Sequence, residues 1–137
     1  MKMLFEALKM SESQENNPYK DVQRDAWYAP YINAVSAAGI VEGSNGFFRP
    51  ADTISRQETA KMIVSAYQLK NNADIKAGSI DYTDKEEISL WARESVNICA
   101  ELGLMQGGED NVFSPLTGTT RAQAVVIIMR LTDLLGY

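Results

Sequence analysis

The sequence predicts an all-α chain of tandem helix-loop-helix repeats packed around a shared axis, and three observations carry that expectation. Residues 39–58, GIVEGSNGFFRPADTISRQE, and residues 103–123, GLMQGGEDNVFSPLTGTTRAQ, repeat one plan: a Gly placed to end a helix, a polar Gly-rich loop, Phe-x-Pro and a closing Arg. The Pro-to-Arg spacing is the same in both, Pro50 to Arg56 and Pro115 to Arg121. Apolar segments at helical spacing lead into and out of each copy. Finally, Lys2–Met10 matches Lys61–Leu69 at a constant offset of 59, with Lys-Met at the head and Ala sixth in both. Residues 1–12 are therefore read as the last helix of a truncated preceding repeat, 19–70 as one complete repeat and 82–135 as another. Units of this size cannot each bury a core alone, which is why a shared axis is expected.

Each element has a local reason. In residues 1–12, Leu4, Phe5 and Leu8 form an apolar stripe that needs a covering surface, so packing on the complete repeats and self-association through the truncated repeat are both expected. After SESQENNP, Tyr19 and Asp21 stand ahead of Trp27, as Tyr82 and Asp84 stand ahead of Trp91. Asp25 and Ser89, two residues before each Trp, are suited to cap a helix N-terminus through a side-chain oxygen. Helices are expected over 26–38 and 90–102. Pro30 disturbs the first turn of the former, where the other copy has Glu94, so the two helices can begin differently. Gly39 and Gly103, each twelve residues after its Trp, end these helices in the left-handed conformation, with Ile40 and Leu104 supplying the accompanying apolar contact. The Tyr-x-Asp pairs are expected to hydrogen-bond into the loops. The polar loops should face solvent. A calcium loop is the sharper alternative for Glu109, Asp110 and Asn111, but the regular ligand spacing is missing.

The second helices, expected over 56–69 and 121–135, open on Ser55-Arg56-Gln57-Glu58 and Thr120-Arg121-Ala122-Gln123. Both are capping boxes, in which the hydroxyl meets an N–H three residues on and the Glu or Gln reaches back. That accounts for the first and fourth residues and leaves the Arg, whose charge sits at the positive end of the helix dipole. Either it reaches a structural acidic partner, or it forms an anion site with the free N–H groups of that turn.

Composition narrows the function. The 137 residues are 45% hydrophobic and 23% charged, which is ordinary globular material sufficient for one core. A net charge of −5 argues against a nucleic-acid partner. With no histidine and one cysteine, a zinc site or a His-based catalytic dyad lacks its ligands, and no metal or cofactor is expected. Cys99, between Ile98 and Ala100, is expected as a buried thiol. No apolar run approaches the roughly 18 residues of a membrane span, and the N-terminal KMLFEALKM lacks the uninterrupted apolar core of a signal peptide.

Aromatic-x-Asp, a Trp opening a helix, Gly-apolar-apolar-x-Gly, Phe-x-Pro and a Thr-Arg-Ala-Glu-like box, in this order and twice over, resemble S-layer homology domains. The resemblance covers nearly the whole chain. It implies a bacterial cell-surface module, usually of three tandem units in a three-pronged spindle, that anchors a secreted protein non-covalently to secondary cell-wall polysaccharide, often pyruvylated. Here the box reads Ser-Arg-Gln-Glu in one copy and Thr-Arg-Ala-Gln in the other, with the Arg kept in both. The resemblance and the residues meet at Arg56 and Arg121, since a guanidinium can hold a pyruvate carboxylate through two parallel hydrogen bonds. Trp27 and Trp91 are candidates to stack on sugar rings, with burial as helix anchors the alternative for each. The loop residues Ser44, Asn45 and Gly46 complete the expected glycan-binding set. The expected function is thus glycan anchoring outside the cell, in the wall or S-layer, with no chemistry. A protein-interaction or assembly module is the second reading, and an enzyme has no catalytic set to name.

Overall fold

The computed structural model describes residues 2–10, 19–41, 43, 45–49, 52–71 and 81–136. Among them are five α-helices: α1 (Lys2–Ala7), α2 (Ala29–Ala37), α3 (Arg56–Asn71), α4 (Leu90–Glu101) and α5 (Arg121–Leu135). Short 3-10 turns lie at Lys85–Glu87 and Glu109–Asn111, and the described residues contain no strand, only isolated bridge positions at Phe47 and between Ser55 and Gly118. The expected all-α class holds. Ser44, Pro50, the SESQENNP linker and residues 72–80 lie outside the described residues, as do the side chains of Phe5 and Arg121.

The chain forms two compact units, Met1–Asp52 and Thr53–Tyr137. In the first, α1 packs on α2 with Leu4 and Leu8 fully buried. Val22, Ala29 and Ile32 form the core against which Tyr19, Tyr28 and Phe48 pack. In the second, α3 packs chiefly on α4 and also on α5. Ala60, Ile63 and Val64 of α3, Val96 and Cys99 of α4 and Leu131 of α5 are buried. The Cys99 thiol points at the Ala60 carbonyl, and burial pushes its pKa up to about 12.

Both first helices end as the sequence requires. Gly39 (φ 75°) and Gly103 (φ 72°) are left-handed, and the next N–H reaches back six residues inclusive, Ile40 to the Val35 carbonyl at 3.0 Å and Leu104 to Cys99 at 2.8 Å. Ile40 and Leu104 are buried beneath these caps.

α4 starts at Leu90 as expected, whereas the start of α2 and the partner of the Ser89 hydroxyl differ from expectation. α2 begins at Ala29, with Tyr28 rather than Asp25 at the cap position and Pro30 in the first turn. Pro30 has no N–H to contribute and its ring would crowd a helical carbonyl four residues back, so the helix cannot extend to 26. Ser89 does occupy the cap position of α4, but its hydroxyl does not cap. It accepts instead from Gln57 Nε2 at 3.0 Å, while the Ser89 N–H donates to Gln57 Oε1 at 2.9 Å. Gln57, only 4% exposed, thereby clamps the start of α3 to the start of α4. At α5 the capping box is complete, with Gln123 N–H on Thr120 Oγ1 and Thr120 N–H on Gln123 Oε1. At α3 it is altered: Glu58 N–H donates to Ser55 Oγ, but the Glu58 carboxylate accepts from the Ser55 hydroxyl rather than from the backbone N–H.

Candidate functional site

The two Gly-rich loops are held by the same device. In the first unit the Asp21 carboxylate accepts the N–H groups of Phe48 (2.8 Å) and Arg49 (2.7 Å), and the Tyr19 hydroxyl accepts Gly43 N–H at 3.1 Å. In the second, Asp84 accepts Phe113 N–H (3.0 Å) and Ser114 N–H (2.8 Å). Each Tyr ring tilts against the loop Phe, Tyr19 on Phe48 at 5.2 Å and Tyr82 on Phe113 at 5.4 Å between centroids. Gly43 and Gly107 let the chain cross these Tyr rings, because a Cβ at either position would collide with the ring. Tyr-x-Asp is therefore a loop cradle, as expected. The Phe48 N–H is the first reason that the Asp21 pKa lies below the usual aspartate value, and burial raises that of Tyr82.

Of the two fates that the sequence leaves open for Arg56, the acidic partner is not found among the described residues. Its Nε donates to the Phe113 carbonyl at 2.8 Å and an Nη to the Gln106 carbonyl at 3.0 Å, while its guanidinium carbon lies 4.9 Å from the Phe113 ring centroid. Among the described residues no carboxylate lies within ion-pair distance of it. The N–H groups that an anion would need at this helix start are also taken: Arg56 N–H by the Thr117 carbonyl, Gln57 N–H by Pro115 and Glu58 N–H by Ser55 Oγ. Closely packed backbone at the Ser55–Gly118 bridge is the cause. The Arg thus fastens the second loop to the head of α3. Burial lowers its pKa, yet a guanidinium stays ionised at neutral pH.

A cleft opens beside it, lined by Arg56, Gln106, Gly107, Glu109, Phe113 and Gln123 among others. It brings one predicted Arg together with a loop and with the fourth residue of the α5 box. The other predicted residues lie elsewhere. Trp27 is 72% and Trp91 51% exposed, which settles against burial as helix anchors, and neither lines this cleft. Trp27 stands edge-on to Tyr28 and Tyr31, at 5.6 and 6.5 Å. Asn45 (φ 55°) and Gly46 (φ 83°) form the left-handed tip of the first loop, whereas Ser44 is outside the described residues. Arg121 heads α5, but its side chain is not among those described. The Gln106 and Phe113 carbonyls that hold Arg56 are positions that the sequence does not mark, because a carbonyl acceptor has no residue-type signature.

The family model of the S-layer homology domain matches residues 18–60 and 81–125. Exoglucanase XynX of Acetivibrio thermocellus is 36% identical over 132 residues, 96% of this chain and 12% of that protein. Amylopullulanase of Thermoanaerobacterium thermosulfurigenes is 35% identical over 98% of this chain and 7% of its own length. S-layer protein sap of Bacillus anthracis is 28% identical over 98% of this chain and 16% of its own. The chain thus spans a small part of each relative's length. No described helix is long and apolar enough to cross a membrane.

Proposed function

The chain belongs to the S-layer homology domain family, and from that premise we propose that it holds a larger secreted protein on the bacterial surface by binding pyruvylated secondary cell-wall polysaccharide. Membership gives the coarser half: a wall-binding module of the cell surface, extracellular and associated with the wall or S-layer. The identity of the polymer and the residues that touch it are our reading. Its main support is Arg56, a half-buried guanidinium at an open cleft with no carboxylate partner among the described residues. Two of its donors hold the loop, and the cation beside them attracts a ketal carboxylate. Gly107 and Gly108 line the cleft, and the exposed Trp27 and Trp91 offer faces to sugar rings. The module does no chemistry of its own on this reading.

Calorimetric titration of a pyruvylated saccharide tests it. Arg56→Lys keeps the charge and loses the planar fork, so binding should weaken, and Arg121→Lys should do likewise if the second box acts as the first. Equal affinity in wild type and both variants would make the arginines purely structural.

One observation favours the second reading, a protein-interaction or assembly module of a cell-surface protein. Val125, Val126 and Met129 of α5 are exposed, an apolar surface that suits another protein. Sedimentation at rising concentration tests self-association. A constant monomer would count against it.

A further inference from the structure

The tip of the first loop carries Asn45-Gly46, and among the asparagines of the chain Asn45 is the one followed by glycine. That order matters chemically, because the backbone nitrogen after an asparagine can attack the side-chain amide, and a glycine there has no Cβ to block the approach. Asn45 is exposed and left-handed (φ 55°), and Gly46 shares that conformation (φ 83°). Around Gly46 the nearest neighbour that a Cβ would meet is the Lys20 stem, at 3.5 Å. Among the described residues nothing accepts the Gly46 N–H or holds the Asn45 carboxamide, although the segment is tied on either side: Gly43 N–H by the Tyr19 hydroxyl, the Gly46 carbonyl by Lys20 N–H and Phe48 N–H by Asp21.

The second loop supplies the contrast. Asn111 is also exposed with φ 55°, but its Nδ2 donates to the Asp81 carbonyl at 2.7 Å and the next residue is the branched Val112. Counted back three residues from each loop Phe, the place of Asn45 is taken there by Asp110, on the same left-handed backbone (φ 56°). The fold thus already accepts at this position the aspartate that loss of the Asn45 amide would give.

We propose that Asn45 is a site of spontaneous deamidation, at which the first loop gains a negative charge as the protein ages. The Gly46 nitrogen, giving up its proton to solvent, bonds to Asn45 Cγ; the Cγ–Nδ2 bond breaks, and the amide nitrogen leaves as ammonia with a proton from water. Water then opens the cyclic imide at either carbonyl. Opening at Cγ gives aspartate, and opening at the backbone carbonyl gives isoaspartate, whose main chain runs one carbon longer through the former side chain. Water is consumed, ammonia is released, and no oxidant or reductant takes part. The conversion stands apart from the wall-polysaccharide reading, but its consequence rests on it: on that reading a new carboxylate at this loop opposes attachment to an acidic polymer.

The folded protein would be held at mildly alkaline pH, with near-ultraviolet circular dichroism confirming the fold, and its peptides mapped by mass spectrometry with fragmentation that separates isoaspartate from aspartate. Asn45 should lose its amide, with isoaspartate the larger product, while Asn111 keeps its own, and more acidic forms should build up on anion exchange. Asn45→Gln, whose longer side chain would have to close a larger ring, should abolish those forms. Loss of amide at Asn45 no faster than at Asn111 would overturn the proposal. Asn45→Asp should be retained less on purified cell walls than wild type. Equal retention would overturn the consequence for attachment and leave the measured conversion standing. A wild type that walls do not retain at all would overturn the wall reading, on which the mass measurement does not depend.

Discussion

Asp21 shows how one carboxylate sets a loop. Its oxygens take two consecutive N–H groups, including that of left-handed Arg49, which no helix or strand ladder would satisfy. The Phe48 N–H, first among the causes, holds its pKa below 3.8, the ordinary value. A depressed carboxyl pKa contributes stability that is present above the unfolded value and is lost as pH falls through the folded one. Wild type should therefore exceed Asp21→Asn in stability at neutral pH, and denaturation curves of the two should converge as pH falls below 3.8. A pH-independent gap would deny the carboxylate this role. At Arg56 the structure changes the expected cost of truncation. An Arg that only met ligand could be removed without harm to the fold, but this one joins two carbonyls and a ring across the second unit. Arg56→Ala should cost about 1–3 kcal/mol in urea unfolding, through lost charged hydrogen bonds and the stacked face. Unchanged unfolding would show that the loop holds itself.

At the scale of elements, the caps decide where helices stand. Thr120→Ala breaks a complete box, and Ser55→Ala removes a hydroxyl that both accepts from and donates to Glu58, so each should lower stability by about 0.5–2 kcal/mol. Melting temperatures equal to wild type would contradict the caps. Much of this was legible in the residues. The Gly ends twelve residues after each Trp, the α5 box and the Tyr-x-Asp cradles follow from local chemistry, and each stands where the pattern puts it. Ser89 shows the limit. Its local setting indicates a cap, but the partner that claims its hydroxyl, Gln57, is 32 residues away in sequence and arrives only when α3 meets α4. Arg56 is illegible for the same reason, since its acceptors are carbonyls 50 and 57 residues distant. The Gln57 clamp carries its own expectation. Gln57→Ala leaves the Ser89 N–H without its acceptor at a half-buried seam, so global stability should fall by about 1–3 kcal/mol and exchange of the Ser89 amide should accelerate. Slow exchange in the variant would argue against the clamp.

At the scale of the whole molecule, the sequence plan is doubled while the surfaces it produces are not. Each unit builds the same cradle, but one surrounds it with Lys20, Phe47 and Arg49 and the other with Arg56, Glu109 and an open cleft. A net charge of −5 sets a general repulsion toward acidic polymer, against which Arg56 must act. On the reading proposed above, attachment should nevertheless depend on the charged polymer rather than on the wall as a whole. The most direct measurement is co-sedimentation of the protein with purified cell walls before and after the secondary polymer is stripped. Retention on intact walls that disappears on stripped walls is the expected result. Equal retention on both would contradict anchoring through that polysaccharide.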